Sequence, residues 1–296
     1  MASTTPSLDD LRRRIDEIDD RLHDLIMERA SIVESVGAAK RRGSVAAVRP
    51  GREALILRRL VERHRGRFPR PVLVRLWREI FSGAVMMQGE FAVAVSAFEE
   101  MPDYWDIARD HFGSHTPMIA FHSVGEAMRS LAEGRVSAAV LPLPAEGERE
   151  PWWPLLAHSG AAAPRIIARL PFAGRGSARG DGGLDALAVG HGDAESTGSD
   201  RSFIALELSG ELSRARLIAA LKGTGLAVTL FAQHRDAGGG VTWNLIELDD
   251  MVSEGDARLA QALSPLEMVV RAIPLGSYAK PFAPAALGLR ANGRSI

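Results

Sequence analysis

Arg29 and Lys40 lie eleven residues apart near the start of the 296-residue chain. In a helix that spacing is three turns plus about 20°, which puts both cations on one face. Arg29 also interrupts an apolar stripe, Leu8, Leu11, Ile15, Ile18, Leu22, Leu25, Ile32 and Val36, spaced three and four apart like the a/d seam of packed helices. A guanidinium on a packed stripe cannot shed its proton, and burying it unpaired costs several kcal/mol. It needs an anion, either a carboxylate of the protein or a negatively charged ligand. Arg12 is a third cation on the same stretch, seventeen residues before Arg29. At 1.5 Å and 100° per residue it stands about 25 Å away and is rotated by about 100°. If all three cations serve one kind of site, Arg12 must reach a site on another copy of the helix, which predicts a dimer.

The element that carries these residues reads as one helix from Leu8 to Arg41, with Ser7 as its N-cap and Asp9 and Asp10 in the first turn. Gly43 stops it, and Pro50 suits the first turn of the next. A second helix, about 51 to 66, places Leu55, Ile56, Leu60 and Val61 on one side, with Arg52 and Glu53 bordering that apolar face. A third, from about Pro71 to Gly89, turns Leu73, Leu76, Trp77, Ile80, Phe81, Ala84 and Met87 inward. Gln88 extends that stripe; the alternative for this helix-end amide is exposure to water. Three helices of such unequal length leave much of the long one uncovered, and pairing two copies would cover it.

This pattern resembles the all-helical chorismate mutases over about residues 7 to 91. The residues that carry the resemblance are Arg12 early in a long helix, ERASIVESVGAAK with Arg29 and Lys40, REALILRRL with Arg52 and Glu53, and Gln88 near the end of a third helix. The resemblance implies an intertwined dimer that rearranges chorismate to prephenate without nucleophile, metal or cofactor. It assigns Arg29, and Arg12 of the partner subunit, to the substrate carboxylates. Lys40 and Gln88 become donors to the breaking ether oxygen, Glu53 the acceptor for the ring hydroxyl and Arg52 a supporting cation. There are two departures. The family member aligned most closely has an aspartate where this chain reads Val48-Arg49-Pro50-Gly51, and a serine where it has Ala84. Each removes at most one substrate hydrogen bond, about 0.5 to 1.5 kcal/mol net. Structural ion pairs of Arg29 and Lys40 with Glu28 or Glu53 are the competing reading.

Composition narrows the classes further. A formal net charge of −1 argues against a nucleic-acid binder, and the absence of cysteine excludes disulfides and thiolate metal sites. The histidines, among them His111, His115, His122, His158, His191 and His234, are scattered without metal-ligand spacing. No stretch reaches eighteen apolar residues and the start lacks a signal-peptide pattern, so the expected location is the cytoplasm, away from membranes.

From Ala92 to about residue 200 the chain alternates strand and helix: FAVAVSA, PDYWDIARDHFG, PMIAFHS, VGEAMRSLAEG and VSAAVLPLP. That order predicts a small parallel α/β layer. PRIIARLPF and DALAVGHG are further strand candidates, separated by a glycine-rich loop, RGSARGDGGL. From residue 201 to 284 the order is that of a ferredoxin-like βαββαβ unit, followed by a tail, 285 to 296. This unit, ending IPLGSYAKP, resembles an ACT domain, and the middle region resembles a shortened prephenate dehydratase. The Thr-Arg-Phe motif of that family is absent, with Asp185-Ala186-Leu187 near its place, and Leu143-Pro144-Ala145 replaces a Glu-Asn-Ser segment. The expectation is therefore a multidomain chorismate mutase, 1 to 91, with a degenerate dehydratase-like lobe, 92 to 200, that has lost its activity. The ACT-like unit would take an amino-acid effector, phenylalanine first. The alternative is a catalytically weak amino-acid-sensing or partner-activating protein.

Overall fold

The computed structural model describes residues 6–40, 48–96, 103–148, 150–158, 163–174, 176, 185–192, 194–235 and 241–289. The glycine-rich loop read at 175 to 184 lies almost wholly outside them. The helical region consists of α1 (Leu8–Lys40), α2 (Pro50–Arg63) and α3 (Arg70–Met86). Ser7 caps α1, its Oγ accepting from the Asp10 N–H at 3.1 Å. Pro50 and Pro71 stand in the first turns of α2 and α3, where the missing N–H costs nothing.

The buried faces of α2 and α3 agree only in part with those read from the sequence: Val61 and Phe81 are buried and Ile56 and Trp77 pack beside them. The stripe of α2 is Ala54, Leu57 and Val61, with Leu55 exposed; that of α3 is Val74, Arg78, Phe81, Ser82 and Val85, with Leu76 and Met87 exposed. Both helices carry apolar residues around more than one face. Within the chain, the face that is buried packs on Phe172, Ala279 and Leu287 of the sheet region. α3 also meets α4 (Asp103–Phe112) through polar contacts: Arg75 pairs with Asp110, Ser82 and Thr116 share a hydroxyl hydrogen bond of 2.9 Å, and Glu79 accepts from the Ser114 N–H. Gly113 ends α4 with φ +94°, and a Cβ there would lie 2.4 Å from that of Ser82, so only glycine fits.

The remainder is a sheet with nine strands among the described residues, in the order β2-β1-β3-β5-β4-β9-β6-β8-β7. These are β1 (Val93–Ser96), β2 (Met118–Phe121), β3 (Ala138–Pro142), β4 (Arg165–Leu170), β5 (Ala186–Gly190), β6 (Asp200–Leu208), β7 (Val228–Arg235), β8 (Thr242–Leu248) and β9 (Val269–Ala279), with α5 (Val124–Ala132), α6 (Pro154–His158), α7 (Arg214–Gly223) and α8 (Ala257–Leu263) between them. β2, β1 and β3 are parallel, as read. β5, one of the two further strand candidates, inserts antiparallel between β3 and β4, so the sheet of this lobe is mixed.

β6-α7-β7-β8-α8-β9 is the ferredoxin-like unit, antiparallel in the order β9-β6-β8-β7 over a core of Ile204, Leu206, Leu217, Leu221, Ile246 and Leu248. It joins the first lobe edge to edge where β4 runs parallel to β9 at Ile166 and Gly276. Gly276 has φ +138°, and a Cβ would stand 2.2 Å from the Ile166 carbonyl oxygen, so the junction requires glycine. Trp152 and Trp153 are buried in the core of the lobe. Among the described residues no helix is long and apolar enough to cross a membrane.

Candidate functional site

Arg29 is half-buried, and its guanidinium stands over the Phe81 ring of α3, 5.7 Å from the centroid. Burial depresses its pKa, the nearby charge of Arg52 depresses it further, and Glu53 opposes both. Arg29, Arg52 and Glu53 are thus electrostatic neighbours, brought together where α1 passes the first turn of α2. Among the described residues Arg29 forms no ion pair, unlike the competing reading in which a protein carboxylate neutralises it.

Glu53 is held by a residue that the sequence reading passed over. Arg78 Nη1 donates to Glu53 Oε2 at 2.7 Å; the Arg78 side chain is 4% exposed and that of Glu53 14%. Burial pushes the Glu53 pKa above its ordinary value, and Arg78 pulls it back. Arg78 in turn lies over the Phe172 ring, 5.1 Å from the centroid. The signal for it was present, since Arg78 falls four residues after Val74 and three before Phe81 on a helical stripe.

Gln88 follows α3 and is half-buried against the last turns of α1, where a Cβ on Gly37 would sit 3.5 Å from its Cγ. Gln88 Nε2 donates to the Ala84 carbonyl at 2.9 Å. Lys40 ends α1 one turn beyond Gly37, and its side chain lies outside the described residues. Arg52 is exposed, and its backbone N–H donates to Glu195 Oε2 at 3.3 Å. Arg12 stays apart from all of these, exposed on α1 and paired with Asp9 at 3.4 Å. The chain by itself therefore brings Arg29, Arg52 and Glu53 together, sets Gln88 against α1 near Gly37, and leaves Arg12 apart.

Comparison with known proteins bears on the helical region. Residues 11–89 match the family model of chorismate mutase type II. The bifunctional chorismate mutase/prephenate dehydratase of Stutzerimonas stutzeri is 30% identical over 146 residues, 48% of this chain and 40% of that protein. That of Pseudomonas aeruginosa is 33% identical over 141 residues, 45% of this chain and 38% of that one. The chain thus spans about two fifths of the length of the relatives it matches. A solved structure described as a novel type of quorum quenching acylase aligns with a TM-score of 0.50 at 14% identity, over 67% of this chain and 98% of that one, a likeness of fold. The helical N-terminal region is a chorismate mutase type II domain.

Proposed function

We propose that this chain, built on an N-terminal chorismate mutase type II domain, is a dimeric chorismate mutase that rearranges chorismate to prephenate. The observation that carries the reading is Arg29, half-buried and without a carboxylate partner among the described residues, beside Arg52 and Glu53. The substrate is a dianion that must be folded from an extended form into a chair, and negative charge grows on its ether oxygen as the bond breaks. Arg29 of one subunit and Arg12 of the other grip the carboxylates and hold the folded conformer. Lys40 and Gln88 donate toward the ether oxygen. A primary amide has two N–H donors, so the bond to Ala84 leaves Gln88 one for the substrate. Arg78 occupies Oε2 of Glu53, leaving Oε1 to accept from the ring hydroxyl. Arg52 adds positive charge at the mouth. The reaction needs no cofactor.

In this reading the dehydratase-like lobe is inactive, because the motifs expected at Asp185-Ala186-Leu187 and Leu143-Pro144-Ala145 are missing. The ferredoxin-like unit is an ACT domain whose effector is an amino acid, phenylalanine being the first to titrate. Loss of chorismate absorbance, with products identified, tests the reading beside an Arg29→Ala control. Prephenate from the wild type and none from the control is the expected result. No prephenate from either would leave the amino-acid-sensing reading, and phenylpyruvate at neutral pH would show that the dehydratase survives.

A further inference from the structure

α2 carries Arg52 and Glu53, and its first turn is fastened from outside the helical region. The Glu195 carboxylate accepts from the Arg52 backbone N–H at 3.3 Å and pairs with the Arg49 guanidinium. The N–H groups of a first helical turn have no acceptor within their own helix, and a carboxylate there also complements the positive helix end. α2 provides no cap of its own, since the N-cap residue Arg49 makes no side-chain capping bond. The approach is close: a Cβ on Gly51 would meet both Cβ and the carbonyl oxygen of Glu195 at 2.9 Å. Farther along the same helix Arg58 donates to Thr197 Oγ1 at 2.7 Å, to the Ser199 carbonyl at 2.9 Å and to the Lys280 carbonyl at 3.0 Å. The strap 195 to 199 is itself braced, the Thr197 N–H donating to Asp200 Oδ2 at 2.8 Å. It runs directly into β6 and lies beside the end of β9. The loop before α2 lacks the aspartate expected there, and a carboxylate instead arrives from 143 residues farther on.

We infer that Glu195 is a positioning residue for the mutase site, fixing the start of α2 and with it Arg52 and Glu53, so that the site depends on the sheet region. The inference rests on the mutase reading above. Its test is hydrogen exchange and steady-state kinetics of the full chain carrying Glu195→Ala, Glu195→Gln or Arg49→Ala/Glu195→Ala. Glu195→Ala should raise deuterium uptake over residues 50 to 57 and leave residues 70 to 86 unchanged. It should raise KM for chorismate roughly tenfold, with a smaller change in kcat, since a hydrogen bond to a charged group is lost. Glu195→Gln should recover part of this, because its amide oxygen still accepts from the Arg52 N–H. The double variant should cost no more than Glu195→Ala alone. Gly51→Ala, which pushes the same strap away, should reproduce the pattern if Glu195→Ala does not fold. Unchanged uptake over 50 to 57, or KM and kcat within about twofold of wild type in a folded Glu195→Ala variant, would overturn the inference. Exchange reads the tie without turnover, so an inactive wild type would sink the mutase reading while uptake still decides the role of Glu195.

Discussion

α2 and α3 bury Ala54, Leu57, Val61, Val74 and Phe81 against the sheet region, whereas α1 leaves Leu8, Leu11, Ile15, Ile18, Leu22, Leu25, Ile32 and Val36 between 42% and 62% exposed. The first pair of helices packs one apolar face within the chain, leaving Leu55, Leu76 and Met87 exposed on another. By contrast α1 presents an apolar seam about 42 Å long to solvent, far more than a monomer ordinarily leaves uncovered. The charged residues divide the same way. Glu53 has Arg78, and Arg49 has Glu195, while Arg12 has only the exposed Asp9 and Arg29 forms no ion pair among the described residues. The difference teaches how the proposed mutase divides its labour: in that reading α2 and α3 position half a site, and the open seam of α1 takes the other half from a second copy.

The strongest way to break this comparison is to spoil the open seam. Ile18→Asp/Leu22→Asp places two carboxylates where a second α1 would pack, and should give a monomer in sedimentation with its sheet region intact. Mutase activity should fall at least about 100-fold, because Arg12 no longer reaches the site. A dimer of unchanged activity would show that the seam is not the interface.

On the face that α2 and α3 bury, Arg78→Met should lower stability by about 3–5 kcal/mol in urea unfolding, since it strands a buried carboxylate. Adding Glu53→Gln should return most of the loss; a single variant as stable as wild type would mean that the pair is not shielded.

The same pair sharpens the pH dependence. In the proposed role Glu53 accepts from the substrate best as a carboxylate, a charge-assisted bond, and burial raises its pKa above the ordinary 4.5. Activity should therefore fade, as pH drops, at a pH above the usual carboxylate range. A limb of kcat/KM at or below 4.5 would contradict this.

The smallest expected effect lies at His111, buried on α4 with Nδ1 unpartnered among the described residues and its pKa held well below 6.5 by burial and by Arg78. The unfolded chain takes up that proton first, so stability is full above about 6.5 and declines as pH falls, by at most about 1.4 kcal/mol per pH unit. His111→Phe should flatten the decline in melting temperature between pH 7 and 5.

Much of this architecture was legible in the sequence, for local reasons. The period of α1, the breaks at Gly113 and Pro50, and the βαββαβ order all lie in short-range patterns of apolar spacing and turn residues. The buried faces of α2 and α3 were legible only in part, through Val61 and Phe81. Leu55, Leu76 and Met87 form stripes as apolar as those that are buried, and nothing local says which stripe faces the chain's own sheet. Arg29 was conspicuous because it interrupts a seam, whereas Arg78 is one arginine among many on a helix whose inward face was misjudged. Glu195 could not have been found by spacing, since its contact to Arg52 spans 143 residues. The insertion of β5 escaped for a related reason: strand order depends on a connection that carries no periodic signal.

The central claim, a site shared between two copies along α1, is tested most directly by mixing two inactive proteins. Arg12→Ala and Arg29→Ala homodimers each lack one cation at every site. Co-refolded in equal amounts, half of the dimers are mixed, and each of those regains one intact site, so about a quarter of wild-type activity should return. Activity that stays at the level of the separate variants would contradict the shared site.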